Sequence, residues 1–294
     1  MYDIEKIVQP KTVPDVIAAL QADPEAVIIC GGSDVLIKIR EGKIAGASLV
    51  SIQGIKQLEG VSLEPDGTIV IGPATTFAGV TNSPIVQQHL PALGDAVDQA
   101  GGPQLRNIGT IGGNVCNGVT SADSGAILLT LNALLEITGP NGKRTQPLQE
   151  FYKGPGKVDL AHDEVLTAIR IAKADYDGFG GHYIKYAMRN AMDIATLGCA
   201  VHAKLDETKQ NIAEMRLAFG VAAPTPIRCP KTEELAKGQP ITPALFALVG
   251  QTALTEVTPR TSWRASKEFR LQLVQELSQR AFKQAILNAG GAAE

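Results

Sequence analysis

Apolar residues recur along the first hundred positions at the spacings typical of short helices and strands. The predicted elements are, in chain order, a helix over 15–22, a buried strand over 27–30, a helix over 34–40 and a strand over 49–52. Two further strands, over 61–64 and 68–71, are joined by the turn-forming sequence Pro-Asp-Gly and predict a β-hairpin. The chain therefore begins as a small α/β unit, and antiparallel strands follow it.

The middle of the chain is predicted to be helical at first and then irregular. The apolar spacing over residues 77–100 is that of helices, with breaks at Pro84 and Pro91. Residues 104–124 hold glycine, asparagine, serine and threonine at a density that predicts a loop, and long ordered loops in compact domains are usually functional. A buried helix and two strands are predicted to follow, over 126–131, 134–138 and 165–171.

The last third of the chain predicts strands followed by helices, which is typical of an α+β domain. A glycine-rich stretch over 175–181 is the best candidate for the linker that leads into it. Three strands are predicted, over 183–188, 198–205 and 215–221. Thr242, with Pro243 behind it, and Ser266 occur in the sequence context of helix N-caps, so two helices are predicted to close the chain.

The composition is that of a compact globular chain. Of its 294 residues 44% are hydrophobic and 19% are charged, which excludes a disordered protein. The length suggests two domains, or one domain with a large annex. A formal net charge of −3 provides no basic surface for nucleic acid or an anionic membrane. The mixed-charge start predicts neither a signal nor a transit peptide, and no apolar run approaches the roughly 18 residues of a membrane span.

The chain is not expected to hold a metal of its own. Its cysteines lie too far apart for zinc or iron–sulfur ligand spacing, and scattered single cysteines are typical of the reducing cytoplasm: Cys30, Cys116, Cys199 and Cys229. None of the four histidines is paired with another at helical ligand spacing. The chain contains no Walker or Rossmann phosphate-binding motif, which argues against both of those nucleotide folds.

Two glycine-rich segments, residues 30–34 and 109–114, are the strongest candidates for chemistry. Either can present unpaired backbone N–H groups to an anion, because glycine lets the backbone approach closely and adopt positive φ. For either segment taken alone, a tight turn is the favoured interpretation. Together, the two segments are suited to bracketing a pyrophosphate.

The same segments carry a resemblance to a known family. Residues 31–36 read GGSDVL, residues 107–114 read NIGTIGGN and residues 121–124 read SADS. In this order they closely resemble the FAD-binding subunits of the molybdenum hydroxylases. Three later motifs are most similar to the separate FAD subunits of bacterial xanthine dehydrogenases: GPGK at 154–157, FGVAAPTP at 219–226 and RTSWRAS at 260–266. Ser33 stands where relatives commonly carry threonine, which preserves a hydroxyl.

The resemblance covers essentially the whole chain and implies an α+β fold in two parts. Residues 1–176 would form an FAD-binding domain of the p-cresol methylhydroxylase/vanillyl-alcohol-oxidase type, with subdomains of about 1–55 and 56–176. Residues 180–290 would form the C-terminal domain of the family, built from antiparallel strands and helices.

The resemblance also implies which residues bind FAD. The two pyrophosphate loops would comprise Val27, Ile28, Ile29, Cys30, Gly31, Gly32, Ser33 and Asp34 in the first, and Gly109, Thr110, Ile111, Gly112, Gly113 and Asn114 in the second. Asp123 would bind in the adenosine or ribitol region, while Val165 and Leu166 would contact the cofactor through their strand backbone. An alternative for Asp123 is a purely structural place at a helix N-terminus, where the dipole stabilises a carboxylate.

Three later residues would lie near the isoalloxazine, namely Ile184, Lys185 and Ile194, with Ile194 against the face of the ring. For Lys185 the structural alternative is a solvated strand edge. For Ile194 it is an ordinary place in the core. No residue of the chain is assigned a catalytic role of its own.

In the scheme that the resemblance implies, this chain is one member of a heteromeric, cytoplasmic enzyme. A partner with the molybdenum cofactor hydroxylates the substrate, [2Fe–2S] centres on another partner pass electrons on, and FAD delivers hydride to NAD⁺. A xanthine dehydrogenase subunit with a role in purine metabolism is the leading hypothesis. The alternatives are the medium subunit of a carbon monoxide, nicotinate or aldehyde dehydrogenase with another acceptor, and a flavin-holding assembly subunit without turnover.

The segment around Trp263 is a candidate partner interface. Trp263 offers a large anchor, and Arg264 and Arg270 offer guanidinium groups, which are residue types enriched at binding hot spots. The alternative is that Trp263 packs in the core of the C-terminal domain.

Overall fold

The computed structural model describes residues 2–293, which form three sheets of three to five strands, a two-stranded ribbon and the helices that pack on them. The strands are β1 (Ile4–Val8), β2 (Val27–Ile29), β3 (Ala47–Ser51), β4 (Val61–Leu63), β5 (Ile69–Ile71), β6 (Leu134–Gly139), β7 (Gly142–Pro147), β8 (Tyr152–Gly154), β9 (Lys157–Val158), β10 (Val165–Ile171), β11 (Phe179–Tyr186), β12 (Leu197–Leu205), β13 (Ile212–Gly220) and β14 (Ile227–Arg228). The α-helices are α1 (Val13–Ala22), α2 (Val35–Arg40), α3 (Phe77–Thr81), α4 (Pro84–His89), α5 (Pro91–Asp98), α6 (Pro103–Arg106), α7 (Ile111–Cys116), α8 (Asp123–Thr130), α9 (Leu148–Phe151), α10 (Pro230–Ala236), α11 (Pro243–Ala253) and α12 (Lys267–Asn288). Two 3₁₀ helices cover Lys56–Leu58 and Lys173–Asp175.

The first sheet is parallel, with strand order β1-β3-β2, and α1 packs on it through an apolar stripe. The helix α1 begins at Val13 because the Thr12 side chain accepts a hydrogen bond from the Asp15 N–H, which satisfies one of its free N-terminal donors. The chain then enters α2 directly from β2 through the first glycine-rich segment.

The second sheet is antiparallel, with strand order β4-β5-β10-β6-β7. The predicted hairpin is confirmed, since β4 and β5 pair in antiparallel register with Val61 opposite Ile71. Pro84 and Pro91 each occupy the first turn of a helix, where no backbone donor is needed, so the predicted breaks separate α3, α4 and α5.

The prediction of a loop over residues 104–124 is only partly right, because the segment contains most of α6, all of α7 and the start of α8, with irregular chain over 107–110 and 117–122. Thr110 caps α7 by accepting a hydrogen bond from the Gly113 N–H. Glycine is used in α7 for close packing, because a Cβ built on Gly112 would lie 2.3 Å from the Cβ of Pro73. High glycine content therefore marked a tightly packed helix here.

The predicted linker over 175–181 is also partly wrong, since β11 begins at Phe179. Gly180 and Gly181 lie inside this strand, and both are tightly packed. A Cβ on Gly180 would lie 2.2 Å from the Ala285 carbonyl oxygen in α12, and one on Gly181 would lie 2.4 Å from Nε2 of His202. These glycines let a helix and a side chain approach the strand, so they do not mark a flexible connection.

The C-terminal sheet, with strand order β11-β12-β13-β14, is antiparallel and covered on both faces. Alternate residues of β12 point to opposite faces. Cys199 and Val201 join the core formed with α10, α11 and α12, whereas Ala200 joins the core built around the second sheet. Thr242 and Ser266 cap α11 and α12 as predicted, each accepting a hydrogen bond from a backbone N–H three residues on.

The helix α8 is the main contact between the two parts of the chain. All eight of its residues are buried. Its last carbonyl groups accept hydrogen bonds from Arg216 and Arg228 of the C-terminal sheet, at 3.2 Å and 2.9 Å. His202 pairs with the Thr130 hydroxyl at 2.9 Å, and burial, together with the two arginines, lowers the pKa of His202 to about 3. His202 is therefore a neutral, structural histidine at neutral pH.

The expected fold class is confirmed, with an α+β arrangement in both parts. Within residues 2–293, no helix combines the length and the apolar character that crossing a bilayer requires.

Candidate functional site

A cleft lies between the first sheet and the helices α6, α7 and α8. Its volume of about 700 Å³ is within the usual range for cofactor sites. Its walls come from the loop between β2 and α2, from α7 and the start of α8, from β10, and from the loop between β11 and β12. The regions around the first sheet, the second sheet and the C-terminal sheet therefore all contribute residues to the same cleft.

The first glycine-rich segment forms one end of the cleft. Gly32 adopts a φ of +73°, which favours glycine. The backbone N–H groups of Gly32, Ser33 and Asp34 donate no hydrogen bond within the described part of the chain, and these residues line the cleft. Such a run of free donors is suited to binding a phosphate group. The alternative of a simple tight turn leaves these donors unexplained.

The second segment has a different character. The N–H groups of Ile111 and Gly112 donate to the carbonyl oxygens of Thr75 and Pro73, and that of Gly113 donates to the Thr110 hydroxyl. The expectation that it presents a run of unpaired N–H groups is therefore wrong for these three residues. Their hydrogen bonds instead hold α7 against the wall of the cleft.

The two segments contact each other directly. A Cβ on Gly31 would lie 1.9 Å from the Ile108 carbonyl oxygen, so only glycine fits between the two loops. Burial raises the pKa of the Cys30 thiol, and a hydrogen bond with Thr110 opposes that rise. The floor of the cleft is therefore a packed junction of the two subdomains.

The edge of β10 and the Asn114 side-chain amide also line the wall of the cleft. β10 pairs with β5 only from Ile169 onward, so Val165 and Leu166 have no strand partner on that side and line the cleft. Asn114 uses its Oδ1 to accept hydrogen bonds from the N–H and hydroxyl of Ser124, which fixes the amide at the cleft wall.

A buried ion pair lies behind the wall where the two parts of the chain meet. Lys185 Nζ lies 2.8 Å from Asp123 Oδ2, and the side chains are only 7% and 10% exposed. Tyr183 donates a hydrogen bond to the other carboxylate oxygen at 3.0 Å. Burial raises the pKa of Asp123, which Lys185 and Tyr183 oppose. Asp123 is the first residue of α8, but its partners show that it is more than a helix-terminal charge.

The loop between β11 and β12 closes the opposite end of the cleft. Its Asp193 side chain accepts hydrogen bonds from the N–H groups of Arg189 and Ile194. Met192, at a φ of +55°, donates its N–H to the Gly101 carbonyl oxygen. Ile194 lines the cleft and is 48% exposed, so the alternative of a core isoleucine is wrong.

Sixteen of the twenty expected cofactor residues line the cleft, and the other four do not: Ile29, Ile111, Ile184 and Lys185. Ile111 is fully buried in the core, and Lys185 reaches the cleft only through Asp123. Because Lys185 is buried, the alternative of a solvated strand edge is also wrong. Lys38 and Asn117 also line the cleft, but they belong to no recognisable motif and were not predicted from the sequence.

The segment around Trp263 is divided between surface and core. Trp263 is 77% exposed, so it does not pack in the core, and Arg264 stacks on its ring at 4.1 Å. Arg270 is 2% exposed and donates hydrogen bonds to the carbonyl oxygens of Thr196 and Arg260. Arg270 therefore holds the fold together, and the idea that it offers a guanidinium to a partner is wrong.

A cleft of this size, with free loop donors at one end and largely apolar walls, is suited to binding a nucleotide cofactor. Comparison with known families identifies the class. Residues 2–173 match the family described as the FAD binding domain in molybdopterin dehydrogenase, and residues 182–285 match the CO dehydrogenase flavoprotein C-terminal domain. The chain belongs to this family of FAD-binding subunits of the molybdenum hydroxylases.

Three relatives illustrate the match. The chain is 44% identical over 291 residues, 99% of both chains, to the xanthine dehydrogenase FAD-binding subunit of Escherichia coli O157:H7. It is 30% identical over 277 residues, 94% of this chain and 95% of the relative, to the carbon monoxide dehydrogenase medium chain of Hydrogenophaga pseudoflava. A solved structure of carbon monoxide dehydrogenase from the same organism aligns with a TM-score of 0.92 and 28% identity, over 98% of this chain and 99% of the other.

Proposed function

We propose that this chain is the FAD-binding subunit of a heteromeric xanthine dehydrogenase with NAD⁺ as its electron acceptor. The observation that carries the proposal is the 44% identity, over 99% of both chains, to an FAD-binding subunit of that enzyme. The carbon monoxide dehydrogenase medium chain, at 30%, is a more distant match. The substrate would be a purine, oxidised on a partner chain that carries the molybdenum cofactor.

The residues around the cleft fit FAD. The free N–H groups of Gly32, Ser33 and Asp34 suit its pyrophosphate, and the largely apolar lining suits flat aromatic rings. Asp123, held by Lys185, provides a fixed hydrogen-bond acceptor in the wall. When bound, FAD would supply the redox chemistry, taking electrons from [2Fe–2S] centres on a partner and giving hydride to NAD⁺.

The protein would contribute position, shielding and access. The loop between β11 and β12 would cover one side of the ring system with Ile194, which is 48% exposed and in place to do so. This arrangement would leave the other side for NAD⁺. Val165 and Leu166 would hold the cofactor through the unpaired edge of β10. The four free cysteines favour a cytoplasmic complex.

The test is anaerobic reduction of the purified chain, after its flavin content has been measured from the absorbance spectrum. Bleaching of the flavin bands by NADH in the absence of partners supports NAD⁺ as the acceptor. If NADH fails but a reduced iron–sulfur partner succeeds, the acceptor is another molecule. Purification of the complex from its native host, with xanthine, carbon monoxide, nicotinate and an aldehyde assayed in parallel, tests the substrate class. A chain without flavin, or one that neither reductant reduces, contradicts the proposal.

A further inference from the structure

The charges along the cleft are unbalanced. The carboxylates of Asp34, Asp123 and Asp193 line it, and Lys38 is the only basic residue among the described residues that do so. The nearby Lys185 is already paired with Asp123 and does not line the cleft. A cofactor that carries a pyrophosphate brings two further negative charges. Of the described residues that line the cleft, only Lys38 carries a positive charge to compensate them.

The position of Lys38 suits this role. It lies one helical turn after the loop with free donors, and its N–H donates to the Asp34 carbonyl oxygen at 3.0 Å. Side chains on a helix lean toward its N-terminus, so Lys38 leans back toward that loop. Its Nζ lies 3.0 Å from Asn117 Oδ1, at the end of α7 on the opposite side of the cleft. The Lys38 side chain therefore connects α2 with the end of α7 at this point of the cleft.

The bonding of Lys38 leaves it free to take a ligand. An ammonium group has three donors, and only one is used, for the neutral amide of Asn117. No carboxylate of the described chain forms an ion pair with it. A phosphate oxygen is a stronger partner than an amide oxygen because its negative charge adds Coulomb attraction to the hydrogen bond.

We propose that Lys38 is a phosphate ligand of the bound cofactor and that it exchanges its contact with Asn117 for a pyrophosphate oxygen when FAD binds. This inference rests on the proposed function, since it takes FAD as the occupant of the cleft. It extends that function by assigning a cationic ligand to a lysine outside both glycine-rich segments. The loop donors and Lys38 would then hold the pyrophosphate from two sides.

The test measures the dissociation constant of FAD from the full-length chain after flavin removal, by fluorescence titration. Lys38→Met should weaken FAD binding about tenfold, and Lys38→Arg should restore most of it, because the charge returns. Binding of riboflavin, which has no phosphate, should be the same in wild type and Lys38→Met. The salt dependence of FAD binding should also be smaller in Lys38→Met.

Two variants separate the alternatives. Lys43→Met removes an exposed lysine that pairs with Glu41 away from the cleft, and it should leave FAD binding unchanged. Asn117→Ala removes only the present partner of Lys38, so it should weaken FAD binding less than Lys38→Met. Equal weakening by Asn117→Ala and Lys38→Met would mean that the lysine only fastens the two subdomains together, and it would overturn the proposal.

Two further results also overturn the proposal: FAD affinity within twofold of wild type in Lys38→Met, and equal loss of riboflavin and FAD binding. If FAD is not the occupant of the cleft, the signature is different, because the wild-type chain itself then binds no FAD, whatever stands at position 38. Failure of NAD⁺ or xanthine as the reaction partner leaves FAD binding and its dependence on Lys38 unchanged.

Discussion

Replacing Lys185 with methionine tests the buried ion pair at the junction of the two parts of the chain. Methionine has a similar length and retains apolar packing, so the change chiefly removes the charge. Asp123 then keeps the hydrogen bond from Tyr183 at 3.0 Å but loses the cation at 2.8 Å. Removal of one partner of a buried pair costs about 3–5 kcal/mol. Because the Tyr183 hydrogen bond survives, we expect the free energy of unfolding to fall by about 3 kcal/mol at pH 7.5, near the lower end of this range.

The loss of unfolding free energy in Lys185→Met should depend on pH, and the direction follows from the protonation of the Asp123 carboxyl group. Burial raises the pKa of Asp123 above its ordinary value of 3.8, and Lys185 opposes that rise, so the variant raises it further. A group whose pKa is higher in the folded than in the unfolded state contributes stability at low pH that is lost as pH rises through the folded value. The deficit of Lys185→Met relative to wild type should therefore be largest at neutral pH and shrink as the buffer becomes acidic.

The assay is thermal unfolding followed by circular dichroism at pH 5.5 and 7.5, at matched flavin content. A loss of about 3 kcal/mol corresponds to roughly 5 °C in Tm, because the entropy of unfolding is about 2.1 cal/mol/K per residue in this 294-residue chain. The double variant Asp123→Asn/Lys185→Met should recover part of the loss at pH 7.5, because no uncompensated charge remains. Lys43→Met is the exposed control, since that lysine and its partner Glu41 are largely exposed. A loss of equal size at both pH values, or no larger than that of the control, would show that Lys185 does not compensate a buried Asp123 carboxylate.

Three other predictions follow from the packing. Gly31→Ala should yield chain with little FAD and a lower Tm, because the new Cβ would lie 1.9 Å from the Ile108 carbonyl oxygen; full flavin occupancy measured by absorbance would contradict this. Arg270→Ala should lower the free energy of unfolding, measured in urea, by about 3 kcal/mol or more, because loss of the buried side chain leaves several acceptors unpaired. Trp263→Ala alters an exposed side chain, so it should change the free energy of unfolding by no more than about 0.5 kcal/mol. The same variant should weaken assembly with partner subunits. Ile194→Phe should slow NADH reduction in anaerobic stopped-flow mixing without loss of FAD, and an unchanged rate would remove Ile194 from the flavin environment.

Much of the fold was predictable because its signals are local. A threonine or serine before an apolar helical stretch caps that helix whatever surrounds it, as Thr242 and Ser266 do. The hairpin of β4 and β5 follows in the same way from a Pro-Asp-Gly turn between two apolar runs. The first glycine-rich segment also behaves as its composition suggests, with Gly32 in the left-handed region.

The rest depends on contacts between distant residues, which local patterns do not encode. Gly112 and Gly180 are needed because Pro73 and the backbone of α12 pack against them, so glycine content misleadingly indicated a loop and a linker. Arg270 looks like a surface residue in sequence, yet distant backbone carbonyl groups hold it in the core. Lys38 belongs to no motif, and only the folded chain brings it opposite Asn117.

The burial of α8 on all sides has a consequence for how this chain can recombine with its relatives. Residues 2–173 and 182–285 match two separate families, which suggests that the chain can be divided between them. Yet Thr130 and its neighbours in α8 pack against β12 and β13, and Tyr183, Ala200 and Ala218 belong to the core of the first part. Recombination between two related genes at a point near residue 177 would combine α8 from one protein with the β12 and β13 surface of another, which did not evolve to pack against it. The two halves should therefore be inherited together, with exchange between lineages favouring the whole subunit.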